Sequence, residues 1–89
     1  MLRYNLIFKG RVQGVGFRFI VERLARKYRV CGWVRNNDDG SVEVMAEAQG
    51  ERLELFVDEI KSYFSDNIRD YTLNKLPIGD DLKDFRIEF

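Results

Sequence analysis

Hydrophobic residues recur along this chain at two spacings, every second position and every third to fourth, and the order in which the two alternate leaves few folds open. Leu2, Tyr4, Leu6 and Phe8 alternate with Arg3, Asn5 and Lys9, the pattern of a strand with one face on a core; only Ile7 breaks its polar side. Phe17, Ile20, Val21, Leu24, Ala25 and Tyr28 then recur at helical steps, with Arg18, Glu22, Arg23, Arg26 and Lys27 filling the other side. Val30 to Asn36 reads as a second strand and Asn37-Asp38-Asp39-Gly40 as a turn. Ser41 begins the return strand, whose Val42, Val44, Ala46 and Ala48 point inward while Ser41, Glu43, Met45 and Glu47 point outward. Leu53, Phe56, Val57, Ile60 and Phe64 mark a second helix that opens near Gly50 and fades around Ser65-Asp66-Asn67. Ile68 to Leu76 reads as a fourth strand and Pro77-Ile78-Gly79-Asp80-Asp81 as a turn or loop. Phe85, Ile87 and Phe89 close the chain as a short extra strand at the sheet edge.

Strand, helix, strand, strand, helix, strand is the ferredoxin-like split βαβ order (βαββαβ), an α+β fold with an antiparallel sheet and two helices on one face. The 89 residues are enough for one modest core, so a single domain over residues 1–89 is expected. Arg29 has to turn the chain out of the first helix, where a glycine would fit at least cost, and the sequence predicts backbone strain there.

Composition removes several chemistries. Fifteen basic residues balance fifteen acidic ones, so any anion must be recognised locally, and a nucleic-acid partner is disfavoured. With no histidine and one cysteine, the chain has no zinc site, no disulfide framework and no Ser-His or Cys-His nucleophile pair. No metal or cofactor is expected, and Cys31 is expected as a small buried residue rather than a nucleophile. No stretch approaches the roughly 20 apolar residues of a membrane span, and the start lacks the pattern of a signal peptide. A cytoplasmic monomer without membrane contact is the expectation.

The glycine-rich run Gly10-Arg11-Val12-Gln13-Gly14-Val15-Gly16-Phe17-Arg18 lies between the first strand and the first helix. Glycines at 10, 14 and 16 allow φ > 0, which turns backbone N–H groups inward, and the helix that follows adds its unsatisfied donors. Arg18 in the first helical turn contributes full charge and a planar fork suited to two phosphate or carboxylate oxygens. This is not the Walker loop, because Phe17-Arg18-Phe19 stands where Lys and Ser or Thr would be required. The same residues would also serve in a plain strand-to-helix turn, and the loop alone leaves both readings open. Asn36, late in the second strand, could approach the loop in this topology and orient a water through its amide. Turn chemistry alone favours the simpler reading, that Asn36 and Asn37 start the hairpin turn.

That run, together with Gly32-Trp33-Val34-Arg35-Asn36 and Asp39-Gly40-Ser41-Val42, resembles the two signatures of the acylphosphatase family. The correspondence covers nearly the whole chain and extends to the closing Phe85-Arg86-Ile87-Glu88-Phe89. The resemblance implies a small metal-free hydrolase that splits an acyl phosphate to a carboxylate and inorganic phosphate. It implies Arg18 and Asn36 as the catalytic pair, with Asn36 positioning the attacking water. It also implies a phosphate cradle of main-chain N–H groups over Gln13, Gly14, Val15, Gly16, Phe17 and Arg18, with Ser41 in a supporting role. Arg29 departs from the family pattern, which places glycine after the first helix. The other reading is a non-catalytic ferredoxin-like module that binds RNA or a small anionic ligand. A base-stacking module would need an aromatic-rich central strand, whereas the outward residues of the third strand are Ser41, Glu43, Met45 and Glu47.

Overall fold

The computed structural model describes residues 1–79 and 82–89, so Asp80 and Asp81 of the expected turn lie outside the described residues. The elements follow the sequence order: β1 (Leu2–Gly10), α1 (Phe17–Tyr28), β2 (Cys31–Asn36), β3 (Val42–Ala48), α2 (Gly50–Tyr63), β4 (Ile68–Leu76) and β5 (Phe85–Glu88). The strands form one sheet in the order β4-β1-β3-β2-β5. The first four pair antiparallel, as the split βαβ order requires, and β5 adds a parallel edge beside β2, from Gly32 opposite Phe85 to Arg35 opposite Glu88. That direction carries the end of β5 to the same end of the sheet as Asn36.

Period-two alternation decides which face is covered. Tyr4, Leu6 and Phe8 of β1 and Val42, Val44, Ala46 and Ala48 of β3 are buried, and the two helices close over them with Phe17, Val21, Leu24, Ala25, Leu53, Phe56, Val57 and Ile60. On the open face charges answer one another across strands: Arg3 meets Glu47 at 2.8 Å and Arg35 meets Glu43 at 3.1 Å, while Asn5 donates to Glu43 at 2.8 Å. Cys31, expected to be buried, is only half-buried, because alternation along β2 places it opposite Glu47 on the sheet face that the helices leave uncovered.

Two expectations about the connections resolve differently. Arg29 takes φ 56 and ψ 48 and closes α1 by directing its N–H to the carbonyls of Ala25 and Arg26, so the predicted strain is present. Left-handed backbone costs a residue with a Cβ about 1 kcal/mol relative to glycine. Arg29→Gly should therefore raise stability by about 1 kcal/mol, seen as a gain of roughly 5 °C in the thermal midpoint of a domain this size. An unchanged or lowered midpoint would show that the strain is already relieved elsewhere. Ser41, by contrast, does not point outward; it is 3% exposed because the turn folds its side chain back into its own hydrogen bonds.

Candidate active site

The glycine-rich loop is pinned to the core at two points and free between them. Val12 is fully buried and Phe17 is 2% exposed, its ring 5.3 Å from Phe8 and 4.4 Å from Phe64. Between these anchors Gly14 (φ 76) and Gly16 (φ 80) are left-handed, and a Cβ at either would meet nothing within 4 Å. Conformation, not crowding, is what requires glycine here, and it leaves the loop open on one side. Gly16 is the N-cap of α1 and has no side chain to cap with, so the first-turn N–H groups of the helix have no capping partner. Ile20 is the first to close the helical ladder, donating to the Gly16 carbonyl at 3.1 Å.

Those uncapped groups border a cleft of ≈ 120 Å³ lined by Val12, Gly14, Gly16, Phe17, Arg18, Phe19 and Asn36. Of the residues expected at the site, Gly14, Gly16, Phe17, Arg18 and Asn36 therefore converge, with the Phe17 ring packed against Phe8 and Phe64. Gln13 and Val15 do not line this wall: Val15 stands 38% exposed at the mouth, and the Gln13 side chain turns to the other side of the loop. Asn36 reaches the cleft because it is the last residue of β2, opposite Val42 in register. Its side-chain amide is not engaged by any described residue, which leaves both a donor and an acceptor free.

Arg18 is already oriented. One Nη1 donates to the Glu88 carbonyl at 3.2 Å, and the guanidinium carbon lies 4.8 Å from the centre of the Phe89 ring. A guanidinium has five N–H donors, so this single carbonyl leaves enough of the fork for two oxygens of a tetrahedral anion. Phe19, 59% exposed, forms part of the rim. The sequence singled out neither contact; the only sign of Phe19 was an aromatic beside Arg18 and off the apolar stripe.

The hairpin turn beside Asn36 is internally braced. Asn37 Nδ2 donates to Ser41 Oγ at 3.0 Å, and Asp39 Oδ1 accepts from the Ser41 hydroxyl at 2.6 Å and from its amide at 2.9 Å. The Ser41 hydroxyl first, and then its amide, holds the Asp39 carboxyl below its ordinary value of 3.8. The stabilisation is present above that value and is lost as pH falls through the lowered one. In a pH titration followed by NMR, the Ser41 amide should shift with a midpoint below 3.8; a midpoint at or above it would mean the brace is open in solution.

Among the described residues no group of three His, Cys, Asp or Glu side chains could hold a metal ion, and no helix is long and apolar enough to cross a membrane. Fold and cleft together define an α+β split βαβ domain with a cleft at the uncapped start of its first helix.

A family model described as Acylphosphatase matches residues 4–87. An acylphosphatase of Bacillus subtilis is 50% identical over 62 residues, which is 70% of this chain and 68% of that one. An acylphosphatase of Clostridium beijerinckii is 40% identical over an alignment of 91 positions that spans 100% of both chains. The crystal structure of an acylphosphatase from Bacillus subtilis superposes with a TM-score of 0.90 and 36% identity, again over 100% of both chains. The chain belongs to the acylphosphatase family, and it is a hydrolase acting on a small-molecule acyl phosphate.

Proposed function

We propose that the cleft binds the phosphoryl end of the acyl phosphate and that hydrolysis there is metal-independent. The observation that carries this reading is that Asn36 and Gly14, Gly16, Phe17 and Arg18, separated in sequence by a helix and most of a strand, line one cleft. Arg18 and the main-chain N–H groups of Gln13 to Arg18 stabilise charge on the phosphoryl oxygens, and the Asn36 amide places a water in line with the leaving carboxylate. Water attacks phosphorus, the bond between phosphorus and the bridging oxygen breaks, and the electron pair leaves with the carboxylate. A carboxylate whose conjugate acid has a pKa of about 4 departs unprotonated, so no general acid is needed and a site without histidine suffices. The water's proton passes to an oxygen of the phosphate formed.

The same reading takes the chain as a cytoplasmic monomer without a nucleic-acid partner. In support, the open sheet face where a ferredoxin-like RNA module would stack bases carries Glu43 and Glu47, each paired to an arginine.

The test is phosphate release from a simple aryl acyl phosphate, with and without chelator and in the presence of inorganic phosphate. Turnover should be indifferent to chelator, and phosphate should compete with substrate because a cradle for the substrate's dianion also holds the product. Chelator-sensitive turnover would overturn the metal-free mechanism. Bound phosphate located by crystallography away from residues 13–18 would overturn the placement.

A further inference from the structure

The Gln13 side chain crosses beneath the loop to the turn between β2 and β3, and its Nε2 donates to the Asn37 carbonyl at 2.8 Å and to the Ser41 carbonyl at 2.9 Å. Both partners are acceptors, so only the NH₂ end of the amide can face them, and both of its protons are used. The two carbonyls are also the ones that close the turn from within: Asn37 N–H donates to the Ser41 carbonyl at 2.8 Å and Gly40 N–H to the Asn37 carbonyl at 3.2 Å. Gln13 thus brackets a turn that begins one residue after Asn36, and it does so from the segment that leads into Gly14, Gly16 and Arg18.

We propose that Gln13 is a positioning residue, whose side-chain amide fixes the separation between the phosphate cradle and the water held by Asn36. The proposal rests on the roles given above to Arg18 and Asn36. Cradle and Asn36 arrive from different elements, and β1 and β2 are not neighbours in the sheet, since β3 lies between them. Among the described residues the bracket ties the loop directly to the turn through two hydrogen bonds. In-line attack tolerates little error in the angle and distance between water and phosphorus, and a shift of about 1 Å can cost a hundredfold in rate. The phosphoryl group is bound by main-chain N–H groups of the loop and by Arg18, whereas the Gln13 side chain is spent on the turn, so a change confined to that side chain affects turnover and not phosphate affinity.

The experiment is a double-mutant cycle in the whole chain. Gln13→Met keeps the length of the side chain and removes both donors; kcat should fall by about ten- to a hundredfold, with inhibition by inorganic phosphate changed by less than about twofold. In an Asn36→Ala background the same substitution should cost less than about twofold, because there is no aligned water left to lose. A multiplicative loss in the double variant, or phosphate affinity falling in parallel with kcat, would overturn the proposal by making the bracket a support for the loop.

Gln13→Glu is the second variant and stands in if Gln13→Met does not fold. Ionised, the new carboxylate faces two carbonyls; protonated, its O–H donates to one of them. Its deficit in kcat relative to the parent protein should shrink as pH falls, and a deficit independent of pH would also overturn the proposal. Undiminished turnover in the single Asn36→Ala variant sinks the underlying assignment of Asn36, a failure visible before Gln13 is changed at all.

Discussion

Arg18→Lys should lower kcat/KM by about three orders of magnitude, nearly as far as Arg18→Ala, because charge without the planar fork does not reproduce the contact. The guanidinium lies at the first turn of α1 against Glu88 and Phe89, an arrangement that a lysine cannot copy. An ammonium makes no paired parallel bonds to two oxygens, it carries a tighter hydration shell, and its stacking on an aromatic face lacks the planar overlap. Both binding and turnover should fall, since the phosphoryl group is anionic before the reaction as well as during it. Steady-state kinetics with phosphate as competitive inhibitor measures the two together. Near-normal constants in the lysine variant would show that charge alone matters here and that two-point geometry was the wrong argument.

Asn36→Ala separates the other role. It should lower kcat by roughly two orders of magnitude, about 3 kcal/mol, while phosphate inhibition stays close to that of the parent protein. The asymmetry follows from timing: a water's alignment matters chiefly as the transition state forms, whereas the arginine contact exists in the ground state. Asn36 is also the last residue of β2, so an unchanged circular dichroism spectrum is required for the comparison. Loss of phosphate affinity in step with kcat would move Asn36 from the water to the cradle or to support of the loop.

Much of this architecture is legible from residue order. The two helices and the strands appear because each side chain's partition between core and water repeats with the backbone's own period, and that information is local. The loop's conformation is legible for a related reason: glycine is the residue whose backbone takes left-handed φ without penalty, so Gly14 and Gly16 announce a left-handed loop before any contact is known. Arg29 shows the same rule in reverse, a residue with a Cβ held at φ 56 where the helix must end.

The remaining features depend on distant partners. Which side of the cleft Arg18 faces is settled by Glu88 and Phe89, residues at the far end of the chain, and they lie there only because β5 adds parallel to β2. Nothing local in Phe85–Glu88 states that direction, since alternation reads the same for a parallel and an antiparallel neighbour. Ser41 alternates correctly for the outer face, yet the Asx-type turn draws its hydroxyl inward. The Gln13 amide could have met solvent, loop or anion; it meets the Asn37 and Ser41 carbonyls because the sheet order places the turn beneath it. The sequence by itself determined the elements, their buried faces and the loop's capacity to wrap an anion, all of them set by short-range sterics and hydrophobic period. Tertiary structure alone decided how Arg18 is held, that Asn36 shares the cleft and what Gln13 grips, because these depend on strand pairing between residues far apart in the chain.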